Sequence, residues 1–219
     1  METTSLLPSP SPSAAVTITP SILYFGTPVV LLTTLNEDGT ANLAPVSSAW
    51  ALGHTVVLGL GPDGQTGRNL LAGRSGLVLN LPGPGLWPQV ELLGGLTGRP
   101  HTPDDPRGHV TYEPDKFAAA GLTPVPSEVV SLPRVAECPL QLEARAAAVR
   151  HDGAGEFLIV EAGVLRVHAA ADIVVPGTQY VDPAAWTPLV YNFRHYFGLG
   201  PELGHSARSQ TPRVPAAPR

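Results

Sequence analysis

The 219-residue sequence has one cysteine, one lysine and few charges of either sign. A lone Cys138 excludes an intrachain disulfide and a zinc site built from cysteines. Its setting, "AECPLQLEA", reads as the start of a strand, where a small buried thiol is expected rather than a reactive one. Lys116 is the only lysine, and the arginines are scattered. With a net charge of −5, the chain offers no basic patch, so nucleic acid is not expected as a partner. No stretch is long and uniform enough to cross a bilayer. "ILYFGTPVVLLTTL" is the most apolar, and Gly26, Thr27 and Pro28 interrupt it. The N-terminus lacks the positive start of a secretory signal, and a cytoplasmic protein with no membrane segment is expected.

What is present suits one folded domain. Apolar residues make up 43% and charged residues 14%, enough for a sizeable core. Residues 1–20 and 206–219 are rich in Pro, Ser and Thr or resemble such segments, and read as flexible tails around a domain over 21–205. "PVVLLTTL" and "ANLAPVSSAWAL" read as strands joined by a turn at Asp38-Gly39. Pro45 suggests a bulge or an edge position in the second. "HTVVLGLG" and "SGLVLNL" are two more strands, with a short helix "QTGRNLLAG" between them that ends at Gly73. "PGLWPQVELLGGL" is a helix weakened by Pro88, and "DKFAAAGL" a short helix with Asp115 near its start. Two long strands, "VAECPLQLEARAAAVR" and "GEFLIVEAGVLRVH", are joined at "HDG". Pro183 is expected to open a helical turn near the end. About six strands in hairpin order with short inserted helices indicate a mainly β, antiparallel barrel or sandwich, not a doubly wound sheet.

One stretch argues otherwise at first sight. "VVLGLGPDGQTGRNLL" (residues 56–71) contains Gly59-x-Gly61-x-x-Gly64, the spelling of a dinucleotide fingerprint. That fingerprint needs a long crossover helix, and an acidic residue about 20 positions on for the ribose. Here the helix is short and the next strand ends in "LNLPGPG" without an acid. The local chemistry still suits a phosphate. Gly64 and Gly67 permit close approach, and Thr66, Arg68 and Asn69 add a hydroxyl, a planar cation and an amide. A plain loop and helix cap is the alternative. Asp63 is expected to point away or to cap the helix.

Two blocks together, "NLAPVSSAW" and "QTGRNLLAGRSGLVLN", resemble the flavin reductase-like family of FMN-binding split barrels. The matching residues are Asn42, Pro45 and Ser47 on one strand, Thr66 and Asn69 at the helix, and Gly76, Val78 and Asn80 on the next strand. "DKFAAAGLTP" and "VAECPLQLEARAAAV" resemble further family stretches. The resemblance covers about residues 20–205. It implies an FMN-binding split β-barrel, Greek-key-like, with short inserted helices. Relatives often carry a lysine just before the position of Thr66. Here the residues are "PDGQ", which leaves Arg68 as the expected charge partner.

By that resemblance, Asn42, Ala44, Pro45, Val46, Ser47 and Ser48 belong to the strand that the flavin ring and ribityl chain cross. Thr66, Arg68 and Asn69 hold the phosphate. Lys116 either reaches a flavin or nicotinamide phosphate or is an ordinary surface lysine. The implied activity is hydride transfer from NAD(P)H to flavin N5 and onward to free flavin or another acceptor, in a homodimer. A flavin-binding electron carrier or sensor, and a binding module that has lost flavin, for instance for haem, are the alternatives. Trp50 is either near the flavin or in the core. Tyr191, Phe193, Tyr196 and Phe197 belong to core or interface, with Arg194 and His195 as further ligand candidates. His101, Asp104, Asp105 and His109 sit in a Pro-rich loop without regular metal spacing. A solvated loop or a lid is expected there.

Overall fold

In the sequence "VVLLTTL" every side chain is apolar or a threonine, so the strand it forms must be covered on both faces. In the computed structural model, which describes residues 14–100, 110–209 and 211, that is what happens. Strand β2 (Val30–Leu35) turns Val30 and Leu32 to one core and Leu31 to another, the second shared with the preceding Val29. It follows β1 (Phe25–Pro28). The turn at Asp38-Gly39, with Gly39 at φ 83°, returns the chain as β3 (Ala41–Val46). Then come β4 (Ala49–Leu52), β5 (Thr55–Leu60), α1 (Gln65–Leu71) and β6 (Gly76–Leu81). Helix α2 (Trp87–Gly94) carries Pro88 in its first turn, where a missing N–H costs nothing, so this proline does not break it.

Short pairs follow: β7 (Leu96–Thr97) beside β8 (Thr111–Tyr112), and, after α3 (Lys116–Ala120), β9 (Pro124–Val125) beside β10 (Arg134–Val135). Asp115 caps α3 by accepting from Ala118 N at 3.0 Å, and Gly121 ends it at φ 63°. The long strands β11 (Leu140–His151) and β12 (Leu158–Ala169) form the expected hairpin. Its connection is a wider loop than "HDG" suggested. The Asp152 carboxylate accepts from the N–H groups of Ala154, Glu156 and Phe157 and organises it. At Pro183 the expected helical turn is one turn only, with Trp186 N donating to Asp182 O at 2.9 Å. The chain then forms a hairpin, β13 (Val190–Asn192) and β14 (His195–Phe197), which joins β1 in a small sheet.

The main sheet runs β3-β2-β6-β11-β12-β5-β4, antiparallel at every pairing. β3 and β4 lie at opposite edges, yet only Ser47 and Ser48 connect them. The sheet therefore has to curl until its edges meet at that corner, where Gly59 N donates to Ser48 O at 2.8 Å. The hairpin order left a barrel or a sandwich open; the curled sheet is a mainly β barrel, the split one that the resemblance implied. Its interior holds Leu32, Val46, Leu58, Leu79, Leu158 and Val160, with Leu70 of α1 among them. A second core, with Leu31, Leu43, Val90, Leu93 and Phe117, lies where α2 and α3 cover the outer face of β2 and β3. Each such leucine contributes about 1.5–3 kcal/mol through burial.

Candidate functional site

The glycine fingerprint is resolved by pairing. β5 pairs with β4 and β12, and β6 with β2 and β11, so the strands on either side of α1 are not neighbours and no parallel unit exists there. The glycines serve packing instead. A Cβ on Gly59 would meet Ser48 Cβ at 3.0 Å, at the corner of the barrel. A Cβ on Gly67 would stand 2.4 Å from Gly61 O and 2.9 Å from Pro62 O. The space at Gly67 thus belongs to the chain's own turn and not to a ligand. Gly64 is open on its Cβ side and is the residue before α1. Asp63 is exposed and does not cap the helix.

Thr66 is buried at the start of α1, and its hydroxyl accepts from Asn42 Nδ2 at 3.0 Å. Asn42, buried on β3, also reaches Thr34 Oγ1 at 3.4 Å. Two residues that are 24 positions apart are thereby joined. Asn42 Oδ1 is buried without a hydrogen-bond partner. Gly98 packs against it so closely that a Cβ there would stand at 2.6 Å.

Asn69 was expected beside a phosphate. In the structure both ends of its fully buried amide are taken. Nδ2 donates to Thr34 Oγ1 (3.1 Å) and Asn36 Oδ1 (2.9 Å). Oδ1 accepts from Gln65 Nε2 (2.9 Å) and Arg74 Nη2 (3.2 Å). Arg68 is exposed. Thr66 and Arg68 are two apart on a helix and so leave it on opposite sides. Arg99, which spacing did not single out, does come to this place. Its Nη1 donates to Asp63 O at 3.2 Å. No sequence signal marked it, because 36 positions separate the two residues.

Ala44, Pro45 and Ser47 are half-buried along the free edge of β3, and Val46 is buried in the barrel. Pro45 pairs with Leu31 at this edge, where a missing N–H is tolerated. Pro45, Val46 and Ser47 form one wall of a cavity of about 440 Å³. Tyr24, Tyr191 and Tyr196 form another. Tyr191 stacks against Tyr24 (5.4 Å between centroids, edge-on) and Tyr196 (5.1 Å). Tyr196 Oη donates to Glu91 Oε2 at 2.9 Å. Burial, reinforced by that carboxylate, raises the Tyr196 hydroxyl well above its ordinary value. The hairpin turn carrying Phe193 and Arg194 is strained: both residues have positive φ, 44° and 67°. Ser48 lies in a different depression, a groove of about 1050 Å³ with Trp50, Leu52, Leu23, Phe25 and Phe157. Trp50 is 58% exposed there, so it is not a core tryptophan. Lys116 is buried at the start of α3, not on the surface.

Cys138 is buried just before β11, and burial pushes its thiol well up, so it is inert, as expected. The Glu143 carboxylate is fully buried. It accepts from the N–H groups of Glu128 (2.8 Å), Val129 (2.7 Å) and Val130 (3.0 Å), and pairs with His168 Nε2 at 2.6 Å. Burial opposes its ionisation, but these bonds outweigh it and hold the carboxyl down to about 2. No metal-type cluster of His, Cys, Asp and Glu occurs among the described residues. The group at His101, Asp104, Asp105 and His109, and residues 1–13, 210 and 212–219 of the expected tails over 1–20 and 206–219, lie outside the described residues.

A family model described as flavin reductase like domain matches residues 22–200. The chain belongs to the flavin reductase-like family. Among curated relatives of this flavin reductase-like protein, "Uncharacterized protein YdfE" of Bacillus subtilis (strain 168) is 46% identical over 196 residues, 89% of this chain and 94% of the relative. Among solved structures, flavoredoxin of Desulfovibrio vulgaris (Miyazaki F) superposes with a TM-score of 0.73 at 19% identity, covering 91% of this chain and 100% of that one. Nitrilotriacetate monooxygenase component B from Bacillus cereus gives 0.69 at 18%, covering 89% and 100%. The NADH:FAD oxidoreductase SgcE6 of Streptomyces globisporus C-1027 gives 0.58 at 14%, covering 83% and 85%. The flavin reductase-like split barrel is therefore the fold of this chain, and a flavin is its cofactor class. No helix among the described residues is long and apolar enough to cross a membrane.

Proposed function

We propose that this flavin reductase-like protein is an FMN-binding oxidoreductase that takes its electrons from NAD(P)H. The observation that carries the reading is the cavity along Pro45, Val46 and Ser47, on the strand whose other end bonds to Thr66. At about 440 Å³ it falls within the roughly 300–1,000 Å³ usual for small-molecule sites. The residues fit the group. Asn42 and Thr66 are tied side chain to side chain, and Gly64 beside them is open on its Cβ side. Thr66 offers a hydroxyl at the phosphate end.

FMN, when bound, supplies hydride acceptance at N5 and onward electron transfer to free flavin or another acceptor. The chain's own residues do the rest. Ala44, Pro45, Val46 and Ser47 present the edge along which the ring lies, Ser48 follows at the corner of the barrel, and the tyrosine wall shields the ring from water. Asn42 aligns Thr66. Asn69 acts beside Thr66, and Lys116 from the buried start of α3. Asn69 does so by fixing α1 against β2, because its amide is already committed.

A homodimer belongs to this reading. Leu23, Phe25 and Leu52 are 68%, 76% and 77% exposed around one groove, an apolar surface of the kind that a subunit boundary covers. So does the cytoplasm, where nicotinamide cofactors are available and a lone cysteine stays reduced.

Anaerobic mixing of the FMN-loaded protein with NADH and with NADPH tests the proposal. Bleaching of the bound flavin by either is expected. The flavoredoxin likeness favours a second reading, an electron carrier without a nicotinamide reaction. Intact bound FMN that neither nucleotide bleaches would establish it instead.

A further inference from the structure

We infer that Arg99, not Arg68, supplies the positive charge for the phosphate monoester of the flavin. The inference rests on the flavin reading above. A phosphate partner must stand on the same side of the chain as Thr66. Arg68 does not, because it leaves α1 on the opposite side, into solvent, while Thr66 is buried.

Arg99 reaches the site from a different part of the chain. The segment 97–99 passes against Asn42 and Gln65, the residue before Thr66. Gly98 stands against Asn42 Oδ1 and close to Gln65, where a Cβ would come within 2.6 Å and 3.4 Å of them. Two bonds then direct the next residue. Arg99 N donates to Thr97 Oγ1 at 3.3 Å, and Arg99 Nη1 donates to Asp63 O at 3.2 Å. The second holds the guanidinium at the turn three residues before Thr66. A guanidinium has five N–H donors, so one bond to a carbonyl leaves several for a phosphate. Its planar fork matches two phosphate oxygens.

The turn "PDGQ" before Thr66 has no cation of its own. Arg99 supplies one from a distant position. Gly98 is what lets the chain come close enough, since any side chain there would displace Asn42. Arg99 binds and orients the phosphate and takes no part in hydride transfer.

The test compares FMN with riboflavin, which has the same ring and ribityl chain and no phosphate. Flavin fluorescence quenching gives the two dissociation constants for wild type, Arg99→Gln, Arg99→Lys and Arg68→Gln. Arg99→Gln is expected to raise the FMN constant about ten- to a hundredfold, the worth of a charge-assisted bond, and to leave riboflavin unchanged. Arg99→Lys recovers part of the loss, which a merely misfolded variant would not. Arg68→Gln changes neither constant. Equal FMN binding by Arg99→Gln and wild type would overturn the inference. So would parallel losses for FMN and riboflavin, or a phosphate-specific loss in Arg68→Gln. A wild type that binds neither flavin would overturn the flavin reading itself, a separate and recognisable outcome.

Discussion

Replacing Asn69 by alanine separates a ligand-binding role from a structural one. Its fully buried amide makes four hydrogen bonds, two donated and two accepted. Alanine removes all four. Gln65 and Arg74 are half-buried and can turn toward water, so their share of the cost is small. Thr34 is fully buried and loses the donor at 3.1 Å, retaining only the long contact to Asn42 at 3.4 Å. One unsatisfied buried group plus a small cavity costs about 2–4 kcal/mol. With a urea slope of about 2 kcal/mol/M for a domain of this size, the midpoint falls by about 1–2 M. The assay is equilibrium urea unfolding of the flavin-free protein, followed by tryptophan fluorescence, beside FMN titration in buffer. Asn69→Ala is expected to unfold early even with no flavin present. A wild-type midpoint together with lost FMN binding would refute the reasoning and return Asn69 to the ligand.

Other substitutions test other parts of the account. Glu143→Gln leaves buried N–H groups of residues 128–130 facing an amide, and is expected to cost about 2–4 kcal/mol near neutral pH. Because the Glu143 pKa is depressed in the folded state, its contribution is complete above the unfolded value of about 4.3 and is lost as pH falls toward about 2. Wild-type stability should therefore drop through that window more steeply than that of the variant, and parallel acid profiles would refute this. Gly67→Ala forces a Cβ onto the backbone of Gly61 and Pro62, and should lower stability by about 1–3 kcal/mol in thermal unfolding. A neutral result would mean that the turn shifts freely. Leu52→Glu places a charge in the apolar groove and should convert a dimer to a monomer in light scattering. An unchanged mass would locate the subunit boundary elsewhere.

Much of this was readable from the sequence because the signals were local. The β-branched run at 29–34, the Asp38-Gly39 turn, the Asp115 cap and the long hairpin each follow from neighbouring residues, and the absence of a crossover helix ruled out a dinucleotide fold. The order of the motifs grouped Asn42 with Thr66, but no sequence signal announced the hydrogen bond between them. What escaped depends on tertiary closure. The committed amide of Asn69 needs Thr34 and Asn36 from β2 and its turn. The exposure of Trp50 follows from its place on the outer face of β4, alternating with Ala49 in the barrel core. The hairpin "YNFRHYF" has Phe and Arg at positive φ, residues that no turn rule would place there. Arg99 came to the site across 36 residues, because Gly98 lets the chain cross Asn42.

The central claim is that this chain binds FMN along β3, with its phosphate end at Thr66. The visible absorption spectrum of the purified protein, taken before and after adding FMN and removing the excess, tests it most directly. A retained flavin spectrum, lost in Thr66→Ala with Arg99→Ala while the fold is kept, is the predicted result. A spectrum that stays flat after FMN addition would contradict it, and would leave the split barrel as a binding module for some other partner.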